Sequence, residues 1–251
     1  MAMQEASAIG IDATSGEGGL SMATLDRDLR VLDLIEIDLE QAVALLQRQQ
    51  GAFVGINAPA RPNMGVIRRR RGEDGQPRAR GTDIREAEYD LHLRGIAVAP
   101  TPSREALCPA WVQQGFVLYR KLADLGYQPF PAEEAACQWL EVHPQAAFCG
   151  LLGRLPLLKP SLEGRLQRAL VLFEQGVRMG DPMEFLEEIT RHRLLLGALP
   201  MEMIPSPSQL DALVAAFTAW VALARPQDIS RVGNQQEGQI VLPVPELMTS
   251  Y

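Results

Sequence analysis

The first 57 residues constrain the fold most: three short apolar runs joined by tight turns precede one capped helix and a fourth apolar run. Ala8-Ile9-Gly10-Ile11 delivers Asp12 into the Gly-rich turn SGEGG, LSMATLD alternates like a returning strand, and RVLDLIEID follows as a third. Joins this short admit only antiparallel neighbours, because a parallel pair needs a long crossover. Asp38 and Gln41 have the spacing of a capping box, and Val43, Leu45 and Leu46 continue as an apolar helical face that ends near Gly51. The helix leads into AFVGIN, so the order is β-β-β-α-β, with the fourth strand parallel to the first through the helical crossover. This is an α/β pattern, read as one domain over residues 1–251.

Residues 58–81 break any periodic element with Pro59, Pro62, Gly65, Gly72, Gly75 and Pro77, and carry arginine at 61, 68, 69, 70, 71, 78 and 80. The segment reads as a long basic loop inserted in the domain, and loops of that length inside a compact domain are usually either functional or disordered, so a solvated run of arginines stays an alternative to a phosphate-binding one. A helix is expected from Thr82 to Gly95 and another from about Ser103 to Leu125, followed by a fifth strand in CQWLEVHP that stops at Pro144. Four further helical stretches follow: QAAFCGLLG, SLEGRLQRALVLFEQG, DPMEFLEEITRHRLLLG and SPSQLDALVAAFTAWVALA. The tail RVGNQQEGQIVLPVP has the form of a hairpin.

Bulk composition narrows the function classes. A hydrophobic share of 47% over 251 residues supports a sizeable core, and no stretch approaches the roughly 20 uncharged apolar residues of a membrane span. The start, MAMQEASAIGID, lacks the basic and apolar regions of a signal peptide, so a soluble, cytoplasmic protein is expected. Cys108, Cys137 and Cys149 form an odd set without a CxxC pair, which argues for reduced thiols rather than disulfides or a cysteine zinc site. The net charge of -7 argues against a generic nucleic-acid coat, yet a local basic groove remains compatible with it, because binding responds to where charge sits. No G-x-S-x-G elbow occurs, and no cysteine stands in a recognisable His/acid context, which sets serine and cysteine hydrolases aside.

Four polar residues occupy equivalent places: Asp12 after strand one, Asn57 after strand four, Glu141 at the end of strand five and Asp211 early in the last long helix. In a sheet ordered 3-2-1-4-5 the strands carrying the first three are neighbours, so the side chains could meet at the edge where ligands bind in α/β folds. Carboxylates grouped in this way suit magnesium or manganese. Arg61, Arg68 and Arg69 follow Asn57 closely and, with Arg85 on the next helix, could pair with phosphates. Each residue also has a plain structural explanation: an Asp after a strand caps a turn, Asp211 gains from the helix dipole, and Arg85 with Glu88 is an ordinary helix pair. His143 lies two residues beyond Glu141 and more simply serves as a hydrogen-bonded structural histidine than as a proton shuttle.

The blocks GIDAT, VGINAPARPN, WLEVHPQAAFCGLLG, LLKPSLEGRLQRALVLFEQG, SQLDALVAAFTAW and EGQIVLPVP together resemble the family numbered 429 among the domains of unknown function, from about residue 8 to 245. That resemblance implies a ribonuclease H-like fold, a mixed five-stranded sheet ordered 3-2-1-4-5 and flanked by helices. It also implies a nuclease acting on nucleic acid with Mg or Mn held by Asp12, Glu141 and Asp211. Where the family usually reads IDAP, this chain reads INAP at Asn57. An amide oxygen can coordinate a cation but adds no negative charge, so one ion would be held less tightly and its water would be a poorer nucleophile. Two other classes fit parts of the sequence. One is a binding or regulatory module on the same scaffold, with weakened catalysis; the other is a phosphotransferase of the actin and sugar-kinase type, suggested by the acid and Gly-rich turn in GIDATSGEGG.

Overall fold

A computed structural model describes residues 7–14, 19–67, 83–197 and 204–251. The expected meander is present: β1 (Ser7–Asp12), β2 (Leu20–Leu25) and β3 (Val31–Ile37) pair antiparallel in sequence. Helix α1 (Leu39–Gln47) starts at Asp38, whose carboxylate accepts from the Gln41 amide while the Gln41 side chain accepts from the Asp38 amide, so both halves of the capping box form. The crossover returns β4 (Ala52–Asn57) parallel to β1, and the register sets Asp12 beside Asn57.

Beyond β4 the sheet grows on one side only. β6 (Cys137–Val142), the fifth strand of the sequence reading, lies parallel to β4, and the C-terminal hairpin of β7 (Ser230–Asn234) and β8 (Gly238–Leu242) adds β8 parallel to β6. The two-residue β5 (Gln128–Pro129) also pairs with β6. The order is therefore 3-2-1-4-6-8-7: the expected order holds across five strands, and the hairpin extends it rather than standing apart.

The helices cover both faces. α7 (Pro207–Ala224) lies across β1 and β4 on one face, joined by α4 (Pro144–Leu152) and α5 (Leu162–Glu174). The opposite face of β1 and β4 packs on α1 and α3 (Ala110–Asp124), where Leu46, Leu118 and Leu122 meet Ile9, Ile11, Val54 and Ile56. α2 (Glu86–Leu93) packs against the hairpin, and α6 (Pro182–Leu196) against α5. The helix expected from Ser103 is interrupted: a 3-10 turn at Glu105–Leu107 ends before Pro109, and α3 starts after that proline, which has no N–H for an interior helix bond.

Among the described helices α7 alone is long and apolar enough to cross a bilayer, yet its residues are the protein's core. It is apolar nearly all round because the sheet lies on one side and α4 and α5 on the other. Leu210, Leu213, Val214 and Phe217 are all fully buried, as their helical spacing predicts. The three cysteines are free thiols, two of them buried.

Candidate active site

Two glycines let α7 approach the sheet. A Cβ at Gly10 would fall on the backbone of Ala212 and Ala216, and one at Gly55 on the Ala215 carbonyl. Gly10 and Gly55 are register partners, and Asp12 and Asn57 lie two residues further along the same strands, so all four share the face against the helix. Asp211, one residue before Ala212, is thereby brought to Asp12.

Asp12 is completely buried and well supplied with donors. The Thr14 hydroxyl lies 2.9 Å and 2.8 Å from its two oxygens, the Thr14 amide 3.3 Å from Oδ1, and Asn57 Nδ2 donates to Oδ1 at 2.6 Å. The amide at position 57 thus has a definite task. A carboxylate there would face Asp12 across the strand pair and would need a cation between the two, whereas the amide supplies a hydrogen of its own.

Asp211 is 5% exposed and ion-paired with Lys159 Nζ. Burial pushes its carboxyl up to about 6, and the Asp12 charge adds to the rise while Lys159 and Arg168 oppose it. A group whose native pKa is raised binds its proton more tightly when folded. Its contribution to stability is complete below pH 3.8, the ordinary value, and is lost as pH rises through about 6. Asp211→Asn should therefore gain on the wild type between pH 4 and 7, by about 2–3 kcal/mol at most, since each tenfold change in proton affinity is worth about 1.4 kcal/mol. His143, lowered to about 4 mainly by burial, costs native stability as pH falls below 6.5; it does so in both proteins, so their difference isolates Asp211. Denaturant unfolding at a series of pH values checks this, and parallel curves would contradict it.

Glu141 does not join the pair. It is the register partner of Ile56, not of Asn57, so it shares the face of Ile56 and Trp139, opposite to Asp12. Its oxygens accept the Arg85 guanidinium at 2.5 Å and 3.0 Å and the Ala60 amide at 2.8 Å. Arg85, expected as a phosphate ligand, is 1% exposed, and it also donates to Glu88 Oε1 at 2.6 Å and to the Glu237 carbonyl at 3.1 Å. Burial would lower its pKa, but Glu141 and Glu88 hold it raised, and its committed donors make it a positioning residue for Glu141. Among the described residues no group of three or more His, Cys, Asp or Glu side chains could hold a metal ion. The expected trio of Asp12, Glu141 and Asp211 is thus a pair on one face and a third acid on the other.

A cleft of about 250 Å³ opens at this sheet edge, lined by Thr14, Asn57, Glu141, His143, Lys159 and Asp211 among others. His143 Nδ1 accepts the Ala146 amide at 3.2 Å as the N-cap of α4, which leaves the proton of the neutral ring on Nε2. The structural reading of this histidine therefore holds.

The model of the family described as "Protein of unknown function (DUF429)" matches residues 10–237, from within β1 to the hairpin turn. The chain belongs to this family. No curated protein and no solved structure matches the DUF429 chain.

Of the basic segment, Arg68 and Arg69 lie outside the described residues, while Arg61 is exposed and donates from Nη1 to the carbonyls of Gln235 and Gln236. The stems of the segment are closely tied in this DUF429 protein. The buried Glu237 carboxylate accepts the amides of Met64, Val66 and Glu86, and Asn63 Nδ2 donates to Asp83 at 3.1 Å. Sequence reasoning missed Glu237, which looked like turn polarity, and Lys159, which has no local signal in LLKP. It also missed the two glycines; an apolar strand with a central Gly is the mark of close backbone approach, and both strands carry it.

Proposed function

We propose that this DUF429 protein is a metal-dependent phosphodiesterase acting on nucleic acid on a ribonuclease H-like scaffold, with its reaction centre at Asp12 and Asp211. What carries the reading is that pair: two buried carboxylates, close enough for one to raise the proton affinity of the other, of which Asp211 lines a cleft that also holds a lysine and Asp12 lies behind the cleft-lining Thr14 and Asn57. The donor set fits one divalent cation, Mg or Mn, held by Asp12 and Asp211 with oxygens of Asn57 and Thr14 beside them, because hard cations take oxygen ligands and relieve carboxylate repulsion. When bound, such an ion activates water and polarises a phosphoryl oxygen.

The chain's own residues supply the rest. Burial pushes the Asp211 carboxyl up to about 6, so a cation beside it would relieve the cost of its charge. Water oxygen bonds to phosphorus and gives up its proton to solvent at the mouth, the ester P–O bond breaks, and the leaving oxygen takes a proton from solvent. Lys159, about one-third exposed, can turn from Asp211 to a phosphate oxygen once another cation neutralises that acid. Glu141, on the other face, stabilises the Arg85 hub and ties down the Ala60 amide, which follows the cleft-lining Ala58 and Pro59.

A second reading is favoured by a specific observation: every carboxylate lining the cleft, and Asp12 behind it, already has a partner, Asn57 on Asp12, Lys159 on Asp211 and Arg85 on Glu141 and Glu88. A site compensated in this way suits a binding module that takes nucleic acid without cleaving it. The phosphotransferase reading gains no support, since residues 15–18 of its Gly-rich turn lie outside the described residues.

Thermal unfolding with Mg or Mn separates the two. Nuclease function predicts a rise in Tm with metal, by mass action, and metal-dependent cleavage of oligonucleotides. Asp12→Ala should abolish both, a loss of activity of at least about a thousandfold. Unchanged Tm in the wild type together with retained oligonucleotide binding would select the module.

A further inference from the structure

Arg168, on α5, is 1% exposed, yet no carboxylate among the described residues pairs with it. Its guanidinium donates to neutral oxygens instead: from Nη1 to the carbonyls of Leu157 and Gly164, each at 2.9 Å, and from Nη2 to Gln145 Oε1 at 3.0 Å. A buried cation without an anion in contact is costly to hold, so the groups it organises carry meaning. Two of the three bonds act on the wall of the Asp211 cleft.

An arginine has donors only, so Gln145 must turn its oxygen to Arg168, and its amide Nε2 is left with no partner among the described residues. The bond to Leu157 fixes the chain two residues before Lys159, and a Cβ at Gly164 would fall on the Leu158 carbonyl, so the lysine rides on a turn packed directly against α5. His143 completes the group. Its Nδ1 is taken by the Ala146 amide, so Nε2 carries the proton, and that nitrogen is likewise unpartnered among the described residues. Neither nitrogen is sealed from solvent, and the solvent space that His143 and Gln145 line together with Lys159 is this cleft. The Lys159 charge is felt at the His143 ring, which places the two near each other. Three donors of fixed polarity thus face one space, and preorganised donors of this kind are how proteins hold oxyanions. Of the acids that line the cleft, Glu88 and Glu141 are tied to Arg85, and Asp211 is the competitor through its pair with Lys159.

We infer that the His143 Nε2–H, the Gln145 amide and the Lys159 ammonium form an oxyanion site that holds the non-bridging oxygens of a phosphodiester, with Arg168 as the positioning residue for Gln145 and Lys159. That the diester belongs to a nucleic acid rests on the reading above, but the oxyanion site is tested without metal and without turnover.

NMR titration of the full chain with dimethyl phosphate in metal-free buffer, following the ring N–H of His143 and the side-chain amide of Gln145, tests it. Both signals should shift saturably. Lys159→Met should weaken binding by about tenfold or more, the range of a hydrogen bond to a charged group. His143→Asn keeps a good N-cap for α4 but cannot reach as far, and should weaken binding by about three- to tenfold. Gln145→Glu separates binding from folding: it gives Arg168 a carboxylate, so Tm should hold while binding is lost. Asp211→Asn frees Lys159 and should tighten binding by about threefold or more, the opposite of its effect on a metal ion. Lys121→Met, exposed on α3, should change nothing. Absence of saturable shifts, binding unimpaired by Lys159→Met or kept by Gln145→Glu, or binding weakened by Asp211→Asn would each overturn the inference. Shifts with inorganic phosphate but none with dimethyl phosphate would overturn the diester as occupant. Failure of metal to raise Tm, by contrast, bears only on the catalytic reading.

Discussion

Gly10→Ala is expected to lose about 3 kcal/mol or more of folding stability, a large effect for one methyl group. The new Cβ would occupy the space of the Ala212 carbonyl and the Ala216 amide, both backbone atoms of α7, so no side chain can rotate to make room. The helix must lift, and with it Asp211, which follows the same turn. Two readouts should therefore change together: the denaturant midpoint falls, and any metal-dependent rise in Tm shrinks, because Asp12 and Asp211 part. Gly55→Ala should behave in the same way, since its Cβ would meet the Ala215 carbonyl. A variant of Gly10 with unchanged stability would show that α7 does not sit on β1 at this point, and the pairing of the two acids would lose its structural basis.

The second large effect is expected at Arg85. Its guanidinium is buried between Glu88 and Glu141, with both ion pairs almost fully shielded from water. Arg85→Met would leave two carboxylates without their cation, and breaking a buried pair by removing one partner costs about 3–5 kcal/mol. The loss should be smaller at low pH, because the orphaned carboxylates can then take up protons. Adding Glu141→Gln to Arg85→Met should recover part of the stability at neutral pH by removing one of the orphaned charges. Urea unfolding of wild type, single and double variants at pH 5 and pH 8 checks this; equal losses at the two pH values would contradict the ion-hub account.

What could be read from the residues beforehand depended on how local the determinants are. The capping box of Asp38 and Gln41, the antiparallel meander and the parallel return of β4 follow from short-range spacing and from the rule on crossovers, and all are present. The proximity of Asp12 to Asn57 follows from that register. Glu141 was different. Some eighty residues separate β4 from β6, and nothing local decides whether position 141 or 142 lies beside Asn57; a one-residue step sends the side chain to the other face. The pairing of the hairpin with β6 was hidden for the same reason, being a contact between distant segments. Arg85 looked like half of a surface helix pair because the sequence shows Glu88 three residues on but not Glu141 or Glu237, which bury it from elsewhere in the chain.

The arrangement also answers why position 57 is an amide. With Asp12 already facing Asp211 through the approach of α7, a third carboxylate on the same face would add repulsion to a carboxyl that burial already raises. Asn57 donates to Asp12 instead, so the site holds its shape with fewer charges.

A crystal grown with manganese and read by its anomalous scattering tests the central claim most directly. One ion bound between Asp12 and Asp211, with Lys159 displaced from Asp211 and Glu141 still on Arg85, is the predicted result. Crystals that hold no manganese at this edge, with Lys159 still paired to Asp211, would contradict the metal-dependent reading.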